Sequence, residues 1–335
     1  MPLNAGNGKR KNDVVKRMTA EHMGLKPCLG CNAVVLAAAG LVWGIGGAHA
    51  QDLEPRAYSA SPIGTNFLAA GFSRSTGSSS LDPSAPITGL NAAIDTYSLG
   101  YDRAFDLAGR SASAAIQIPY RDGNVSGQVE GQNEHVSRSG LGDLRIRLAT
   151  NLLGGPALTP AEFRLRRPTT TLGVSLVVTA PTGQYHPEHL INISSNRWAF
   201  KPEIGLSQPL GNWFAEAYAG AWIFADNDNY FNGHVRSQNP LYTFQLHGGY
   251  TFRPSLWLAA DATYYTGGET SINGNSSNDS ESTVRWGLTL SVPIAAGFSA
   301  KLAWSKWVSG RNGGNYQTIG VSLQYRWFDP QGPAR

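Results

Sequence analysis

The chain is poor in cysteine and methionine, and it lacks long hydrophobic runs outside its first fifty residues. Both cysteines and all three methionines fall within the first 31 of its 335 residues. A thiol-free remainder suits export through an oxidising compartment, where stray disulfides would interfere with folding. No later stretch approaches the 18 or so consecutive apolar residues that a membrane-spanning helix needs, which excludes helical membrane spans after residue 50.

The first fifty residues are typical of a secretory signal peptide. A basic start precedes an apolar run over residues 34–45, and Ala48, His49 and Ala50 match the small-x-small pattern before a cleavage site. We therefore predict a signal peptide over residues 1–50, cleaved after Ala50. The alternative is a retained membrane helix, but the run is short and broken by glycines. A lipoprotein cut at Cys31 is disfavoured because that cysteine precedes the apolar run.

The chain also lacks an excess of either charge once the leader is removed. The formal net charge is +4, from 27 basic and 23 acidic residues. Six of the basic but only two of the acidic residues lie in the leader, leaving 21 of each in the remainder. This balance gives no support for nucleic acid as a partner.

What the chain does contain is alternation, clearest in its last strand-like stretch, residues 318–328. Apolar residues occupy every odd position from 319 to 327, and polar residues or glycine occupy the even positions between them. This period of two predicts a strand with one apolar face. An apolar face ending in aromatics is typical of the last strand of an outer-membrane β-barrel, so we interpret Tyr325, Trp327 and Phe328 as the signal for the barrel-assembly machinery. A soluble β-sandwich is the alternative, and the short tail at 329–335 departs from the usual barrel ending.

Eleven further stretches alternate in the same way. The twelve predicted strands lie at about residues 63–76, 88–105, 110–121, 140–152, 169–181, 196–209, 213–226, 240–252, 255–268, 282–294, 298–309 and 315–328. Connectors after even-numbered strands are mostly tight, whereas those at 122–139, 182–195, 227–239 and 269–281 are long and polar. An even strand count, short periplasmic turns and long outer loops are typical of transmembrane barrels. The long connector at 154–168 breaks this rule.

Charges are sorted onto one face within the strands. In the fourth strand Leu144 and Ile146 share one phase, and Arg145 and Arg147 share the other. An arginine or lysine facing lipid near the midplane costs about 2–4 kcal/mol, so this sorting favours a membrane barrel. A sandwich with one wet face is the alternative, but it has no reason for so many long strands with aromatic ends. We therefore predict an all-β fold, a transmembrane antiparallel β-barrel of about 12 strands over residues 51–328.

The inward phases give the candidate lumen residues. They are Arg145, Arg147, Arg197, Lys201, Glu203, His247, Asp261, Arg285, Lys301 and Arg326. With Asp102 and Asp143 the inward charges number seven positive and four negative. A narrow passage of low dielectric magnifies such a field, which predicts modest anion preference.

Two arrangements of these charges are open. If their heights match, Arg285, Lys301 and Arg326 form one basic wall on the last three strands. In the alternative the bases pair with acids as structural ties, Arg145 or Arg147 with Asp143 and Lys201 with Glu203. His247, in mid-strand on the polar face, is interpreted as a hydrogen-bonding residue of the lumen rather than a metal ligand.

Eight short segments share their order and spacing with those of one known family. They are PIGTN at 62–66, GLGD at 140–143, PTGQY at 181–185, NRWAFKPEIG at 196–205, QNP at 238–240, GG at 267–268, RWG at 285–287 and QYRW at 324–327. In these segments the chain resembles the outer-membrane transporters named the "Putative MetA-pathway of phenol degradation" family. The resemblance spans nearly the whole mature chain and implies a barrel that passes organic compounds.

Catalysis is a weaker alternative. Some outer-membrane barrels are hydrolases built around a His-x-Ser-Asn run, and the nearest match, residues 193–196, has isoleucine in place of the base. His189 lies six residues before Ser195, and this spacing defines no catalytic unit. We predict no enzymatic activity and no catalytic residue.

Residues 186–189, His-Pro-Glu-His, could bind a metal. Pro187 disfavours a regular element there and no further ligand is evident, so the segment is interpreted as a solvated loop. We predict neither a metal nor a cofactor.

The predicted strand number limits the function. Eight strands leave a filled interior and sixteen to eighteen leave an open aqueous channel, so about twelve should leave a narrow passage. We predict an outer-membrane channel for small organic compounds. That these compounds are aromatic is implied by the resemblance alone. A closed structural or adhesion barrel whose outer loops bind a ligand is the alternative. The expected partners are outer-membrane lipid and lipopolysaccharide, the barrel-assembly machinery and a small-molecule solute.

Overall fold

The computed structural model describes residues 54–79, 87–129, 132–189, 191–311 and 315–330. The predicted signal peptide and the end of the predicted tail lie outside these ranges. The elements within them are β1 (Thr65–Ser79), β2 (Ile87–Leu107), β3 (Arg110–Val129), β4 (Gln132–Leu141), β5 (Leu144–Leu153), α1 (Pro160–Leu165), β6 (Thr171–Ala180), β7 (Ala199–Leu210), β8 (Trp213–Phe224), β9 (Asn227–Tyr230), β10 (His234–Gln238), β11 (Leu241–Arg253), β12 (Leu256–Gly267), β13 (Thr270–Ile272), β14 (Asn275–Ser276), β15 (Glu281–Ala295), β16 (Phe298–Arg311) and β17 (Asn315–Phe328).

The long strands close into one antiparallel barrel. Each pairs with the next along the chain, and the ring closes because β1 pairs with both β2 and β17, with Thr65 opposite Phe328. β4 and β5 pair one after the other with β3, so they form a single barrel strand interrupted at residues 142–143. With β9, β10, β13 and β14 in a separate sheet, the barrel has 12 strands. The prediction of an all-β, twelve-stranded barrel is confirmed.

The two faces of the strands carry the polarity of a membrane barrel. On β11 the side chains of Phe244 and Leu246 are 50% and 64% exposed, whereas Gln245 and His247 are 3% and 2% exposed. A protein folded in water would bury the leucine and expose the glutamine. The outer face is therefore built for lipid and the inner face for polar contacts, as the alternation predicts.

Lys306 is a charged residue on the outer face of β16. Lys306 is exposed there, between Trp286 on β15 and Gln317 on β17. It lies near the outer end of β16, whose last residue is Arg311, so its ammonium group can reach the membrane interface. Among the described residues, no helix is long and apolar enough to cross a membrane.

The prediction of a long loop at 122–139 is wrong. β3 continues to Val129 and β4 starts at Gln132, and these two strands pair in register, with Asp122 opposite Ser139. β2 also pairs with β3 along this extension. The extension carries polar residues on both faces, so it lacks the apolar phase by which the sequence reveals a lipid-facing strand. Such a ribbon suits a position beyond the membrane, where water reaches both faces.

Two other connectors contain short elements. The predicted loops at 227–239 and 269–281 contribute β9, β10, β13 and β14, which form a four-stranded sheet on the extracellular side. The connector at 154–168 contains α1 on the periplasmic side. The Thr159 hydroxyl accepts a hydrogen bond from the Glu162 amide, and the Glu162 carboxylate accepts one from the Thr159 amide, forming a capping box.

Residues beyond the terminal aromatic tie the barrel seam. The Asp329 carboxylate accepts hydrogen bonds from Asn66 Nδ2 at 2.8 Å and from Arg103 Nη2 at 2.6 Å. Its amide donates to the Gly64 carbonyl. The first residue of the predicted tail is therefore bound to β1 and β2 at the periplasmic rim. Tyr325 and Trp327 stack at 5.6 Å on the outer face of β17, where the sequence places the terminal aromatics.

Candidate functional site: the barrel lumen

One side of the lumen is filled by large side chains. Trp222, Leu241 and Tyr265, from β8, β11 and β12, pack together, and Trp307 from β16 stacks on Tyr265 at 5.1 Å. These residues lie on the inner phases of their strands and are buried against one another. This side of the barrel is therefore a packed core.

Closer to the midplane, a polar network continues the packed side. His247 Nδ1 lies 2.7 Å from Asp261 Oδ1, and both side chains are fully buried. Thr289 donates to Asp261 Oδ2 at 2.8 Å. The inward, hydrogen-bonding position predicted for His247 is the one the structure shows. His247, Asp261 and Thr289 come from β11, β12 and β15, so the network joins these three strands within the packed side.

The other side of the lumen is open. A cavity of about 510 Å³ lies mostly against the inner faces of β1, β2, β3, β5, β16 and β17, and it also reaches Lys201 and Glu203 on β7 and Tyr218 and Trp222 on β8. Its wall on these strands is rich in small residues, including Ala69, Gly71, Ser98, Gly100, Ser113, Ala115, Ala303, Gly320 and Ser322. These small side chains leave free space in the lumen, whereas the large side chains of the packed side fill it. The strand sequences therefore place the passage on one side of the barrel.

Basic side chains outnumber acidic ones around this cavity. Its lining includes six basic residues and three acidic residues. They are Arg56, Arg121, Arg145, Arg147, Lys201 and Lys301, against Glu54, Asp102 and Glu203. Five of the predicted lumen residues, Arg145, Arg147, Lys201, Glu203 and Lys301, are thereby brought together at one cavity.

Lys201 and Glu203 form a tie in the lumen wall. Lys201 Nζ lies 2.8 Å from Glu203 Oε2, and both side chains are almost completely buried. Gln245 Nε2 donates to the same carboxylate oxygen at 2.9 Å, and the hydroxyl of Tyr58 donates to Oε1 at 3.0 Å. The predicted pairing of Lys201 with Glu203 is present.

The predicted pairing of Asp143 with Arg145 or Arg147 is not what the structure shows. The Asp143 carboxylate accepts hydrogen bonds from the hydroxyl of Ser194 at 2.5 Å, from the Ser195 hydroxyl at 3.0 Å and amide at 2.9 Å, and from the Gly183 amide at 3.1 Å. Asp143 lies where the β4–β5 strand is interrupted, so its side chain turns to the extracellular loop at 181–198. It therefore anchors this loop to the barrel.

The same contacts give Ser195 a structural role. Its hydroxyl donates to a carboxylate rather than to a histidine, and within the described ranges no hydrogen bond joins it to His189. Among the described residues, no histidine base is hydrogen-bonded to this hydroxyl, unlike in hydrolases built around a His-x-Ser-Asn run.

Arg145 and Arg147 lie over aromatic rings. The Arg145 guanidinium carbon is 5.5 Å from the Trp222 ring centroid, and that of Arg147 is 5.3 Å from the Tyr58 ring centroid. Arg147 also donates to the Ala57 carbonyl at 3.3 Å. Both guanidinium groups are thus held at the cavity edge, each against the face of a ring.

Sequence analysis missed the segment that precedes β1. Residues 54–58 lie inside the periplasmic half of the lumen. Glu54 pairs with Lys301 at 3.2 Å, the Arg56 amide donates to Glu216 at 2.6 Å, and the Tyr58 hydroxyl bonds to Ser175 at 2.9 Å. This lumen segment, residues 54–58, narrows the passage from within.

A pair of glycines receives the Tyr58 ring. Gly173 on β6 and Gly205 on β7 lie opposite each other in the strand register. A Cβ atom on either residue would lie 2.2–2.3 Å from Tyr58 ring atoms, so only glycine admits the ring at these positions. Two glycines on inward phases, facing each other across neighbouring strands, are a signal by which the sequence could have indicated an inserted side chain.

The basic wall of Arg285, Lys301 and Arg326 is not formed. Arg285 lies level with Trp307, six residues along β16 from Lys301, and it donates to Ser305 at 2.6 Å in the packed side. Arg326 lies at the periplasmic rim, opposite Phe67, with its guanidinium 5.6 Å from the Phe328 ring. The three bases therefore lie at three heights.

Arg197 is also outside the cavity lining. It lies before β7 on the extracellular side, buried, with its guanidinium carbon 4.4 Å from the Phe224 ring centroid. Its Nη2 donates to the Gln238 side chain, which precedes β11. Arg197 thus joins the barrel mouth to the extracellular sheet.

Comparison with known proteins agrees with this architecture. The family model described as "Putative MetA-pathway of phenol degradation" matches residues 72–325. A solved outer membrane channel from Pseudomonas putida F1 is similar, with 22% identity, 82% of this chain and 100% of that chain covered, and a TM-score of 0.68. The β domain of the Bordetella autotransporter BrkA has 14% identity, 79% and 100% coverage, and a TM-score of 0.48. The NanC porin has 10% identity, with 77% of this chain and 98% of that chain covered, and a TM-score of 0.45. No curated protein matches the chain.

Proposed function

Because this chain belongs to the family described as "Putative MetA-pathway of phenol degradation", and is an outer-membrane channel with a porin-like barrel, we propose that its solutes are small organic anions such as aromatic carboxylates. The observation that carries the proposal is the excess of six basic over three acidic side chains around the cavity. A field of one sign in a narrow, low-dielectric passage attracts solutes of the opposite sign.

The size of the cavity supports a small solute. Its volume of about 510 Å³ is within the usual range for small-molecule sites, roughly 300–1,000 Å³. A compound with one aromatic ring fits such a space, whereas a folded protein or a large oligosaccharide does not. The lumen segment at 54–58 limits the passage further on the periplasmic side.

The placement of the bases supports a carboxylate. Two of the six, Lys201 and Lys301, are paired with Glu203 and Glu54. Arg145 and Arg147 lie over the rings of Trp222 and Tyr58, which present apolar surface beside a guanidinium group. An aromatic carboxylate offers the matching combination of a ring and an anion, because arginine binds carboxylates in two-point geometry.

Ion selectivity in planar bilayers tests the proposal. With the mature protein in a gradient of KCl, we expect a reversal potential that shows anion preference. Arg145→Ala and Arg147→Ala should each reduce it, and the double variant should reduce it most. Lys306→Ala is the matched control, because it removes the same charge from the outer face and should leave the selectivity unchanged. Cation preference in the wild type, or equal effects of the inner and outer substitutions, would refute the proposal.

Flux into liposomes tests the solute class. Benzoate should enter faster than benzylamine, which has a similar ring and the opposite charge, and the difference should shrink in the Arg145–Arg147 double variant. Equal rates for the two compounds in the wild type would contradict anion selection.

A closed structural or adhesion barrel is the second candidate. The packed side of the lumen and the lumen segment favour it, since together they occupy much of the interior. The same bilayer recordings distinguish the two functions: a channel conducts, whereas a closed barrel shows no conductance and no solute flux.

A further inference from the structure

The extracellular loop at 181–198 contains a compact group of metal-binding side chains. His186, Glu188 and His189 each present one ligand atom, and these atoms all lie within 4.8 Å of one another. We propose that this turn binds one transition-metal ion, of which Zn²⁺ is the best match. The site is separate from the lumen and independent of the solute that the channel passes.

The distances between the ligand atoms approach those of a coordinated ion. His186 Nδ1 lies 3.5 Å from Glu188 Oε1, and His189 Nε2 lies 3.8 Å from the same oxygen. Zinc bonds to imidazole nitrogen and carboxylate oxygen at about 2.0–2.2 Å, so tetrahedral ligand atoms lie about 3.4 Å apart. The carboxylate therefore sits between the two rings almost at the required separation, and only the ring nitrogens must move closer together.

The backbone of the turn is held in place by one side chain. Asn192 Oδ1 accepts a hydrogen bond from the His186 amide at 2.8 Å, and Asn192 Nδ2 donates to the carbonyls of His186 and His189 at 2.9 and 2.8 Å. The His189 amide also donates to the His186 carbonyl at 2.9 Å. Because Asn192 fixes both ends of the turn, the ligands are brought together before any ion binds, which lowers the entropy lost on binding.

The chemistry of the ligand set selects the metal. Two imidazoles and one carboxylate suit Zn²⁺ and neighbouring transition metals, whereas Ca²⁺ and Mg²⁺ prefer sites made of oxygen atoms alone. Three protein ligands also leave a fourth tetrahedral position open. The His186 and Glu188 side chains are about 60% exposed, so an ion can enter directly from the medium.

The turn is attached to the extracellular sheet and to the cavity. The Pro187 carbonyl accepts a hydrogen bond from the Asn232 amide in the β9–β10 hairpin, and the Tyr185 hydroxyl donates to the Asn229 carbonyl. In the same loop the Ile193 carbonyl accepts from Arg121, which lines the cavity. A bound ion therefore rigidifies a loop that lies between the outer sheet and the cavity mouth.

Zinc titration of the full mature protein tests the site. The protein is purified in detergent without a polyhistidine tag, and Zn²⁺ binding is followed by calorimetry. We expect one Zn²⁺ per chain, with His186→Ala and His189→Ala each weakening binding at least tenfold. Glu188→Gln should also weaken it, while His135→Ala, which removes an exposed histidine from the β3–β4 ribbon, should leave it unchanged. Asn192→Ala should weaken binding although it removes no ligand.

Cobalt provides the second measurement. Co²⁺ at this turn should give the intense visible absorption of a tetrahedral ion, and the band should be lost in the His186–His189 double variant. Heat-modifiable gel migration shows that each variant barrel is folded. The proposal is overturned if the wild type takes up no Zn²⁺, if the double variant still binds one equivalent as tightly as the wild type, or if His135→Ala has the same effect as the ligand substitutions.

Discussion

Glu54 Oε1 lies 3.2 Å from Lys301 Nζ, although 247 residues separate them in sequence. This ion pair ties the segment before β1 to the inner wall of β16. The sequence placed Lys301 in a basic wall with Arg285 and Arg326, but its acidic partner in the structure comes from outside the barrel strands. The pore is therefore shaped by a piece of chain that lies outside the strand pairing of the barrel.

Acid should loosen this tie. The Lys301 ammonium holds the pKa of Glu54 below its ordinary value of 4.5. Because the pKa of Glu54 is lower in the docked segment than in the undocked one, the ionised carboxylate stabilises docking at pH values above the undocked pKa. This stabilisation is lost as the pH falls through the pKa of the docked state. Conductance should therefore rise modestly below about pH 4.5, modestly because the Glu54 side chain is 57% exposed and the pair is partly screened. Glu54→Gln should have the higher conductance already at pH 7 and lose this response; a wild-type response retained in Glu54→Gln would contradict the assignment.

Tyr58 should contribute more than Glu54 to holding the segment. Tyr58→Ala removes the hydrogen bonds to Ser175 and Glu203 and the ring contact with Tyr218 at 5.0 Å. Single-channel conductance should increase clearly in this variant. Tyr58→Phe keeps the ring and loses only the hydroxyl, so it should give a smaller increase. Identical conductance in all three proteins would show that the segment does not narrow the pore.

The glycines beneath the Tyr58 ring give an independent test. Gly205→Ala places a methyl group where a Cβ atom lies 2.2 Å from a Tyr58 ring carbon, so the ring must leave its place. We expect conductance to rise as it does in Tyr58→Ala. Adding Gly205→Ala to Tyr58→Ala should have little further effect on conductance, because the closest clash is gone and only the contact of 2.7 Å with the Tyr218 ring remains. Additive effects of the two substitutions would mean that they act on different parts of the pore.

The buried network around Asp261 should stabilise the barrel. Asp261→Ala leaves His247 and Thr289 without their hydrogen-bond partner in a buried place, and each group left unsatisfied costs about 1–3 kcal/mol. Thr289→Val removes only one hydrogen bond to the carboxylate and should cost about 1–2 kcal/mol. Denaturant unfolding followed by heat-modifiable migration measures both. Equal free energies of unfolding for Asp261→Ala and the wild type would contradict this role.

Asp143 should order the loop at 181–198. Asp143→Ala removes four hydrogen bonds to Gly183, Ser194 and Ser195, each of about 1.5–3 kcal/mol when the acceptor is charged. We expect much faster amide hydrogen exchange at residues 183–196, with the barrel strands unchanged. Asp122→Ala, in the β3–β4 ribbon, serves as the control. Unchanged exchange in Asp143→Ala would mean that other contacts hold the loop.

The sequence predicts the barrel well because lipid imposes a simple rule on every spanning strand. Alternation placed Gln245 and His247 inside and Phe244 and Leu246 outside, as the structure shows. The rule stops at the membrane surface. Where both faces of a strand meet water, as along the β3–β4 ribbon, polar residues occupy both faces and no alternation marks the strand. Its sequence then looks like that of a loop.

The candidate site was only partly predictable. Alternation gives the inward direction of Arg285 and Lys301, but their relative height depends on strand register, which a single sequence does not encode in a readable way. The route of the lumen segment depends on long-range contacts, such as that between Arg56 and Glu216, and no local pattern reports them. The pairing of Lys201 with Glu203 was predictable because the two residues lie two positions apart on one face.

The contact between Asp329 and Asn66 bears on the order of assembly. It joins residues 263 positions apart, and closing a flexible chain of that length costs about 5 kcal/mol of loop entropy by the logarithmic law. The penalty falls on a single event, since every other strand pairs with its neighbour along the chain. We therefore expect a nascent sheet of many strands to exist with two open edges until the last residues arrive. Closure of this sheet by pairing of β1 with β17, rather than formation of the individual strands, is then the rate-limiting step of folding.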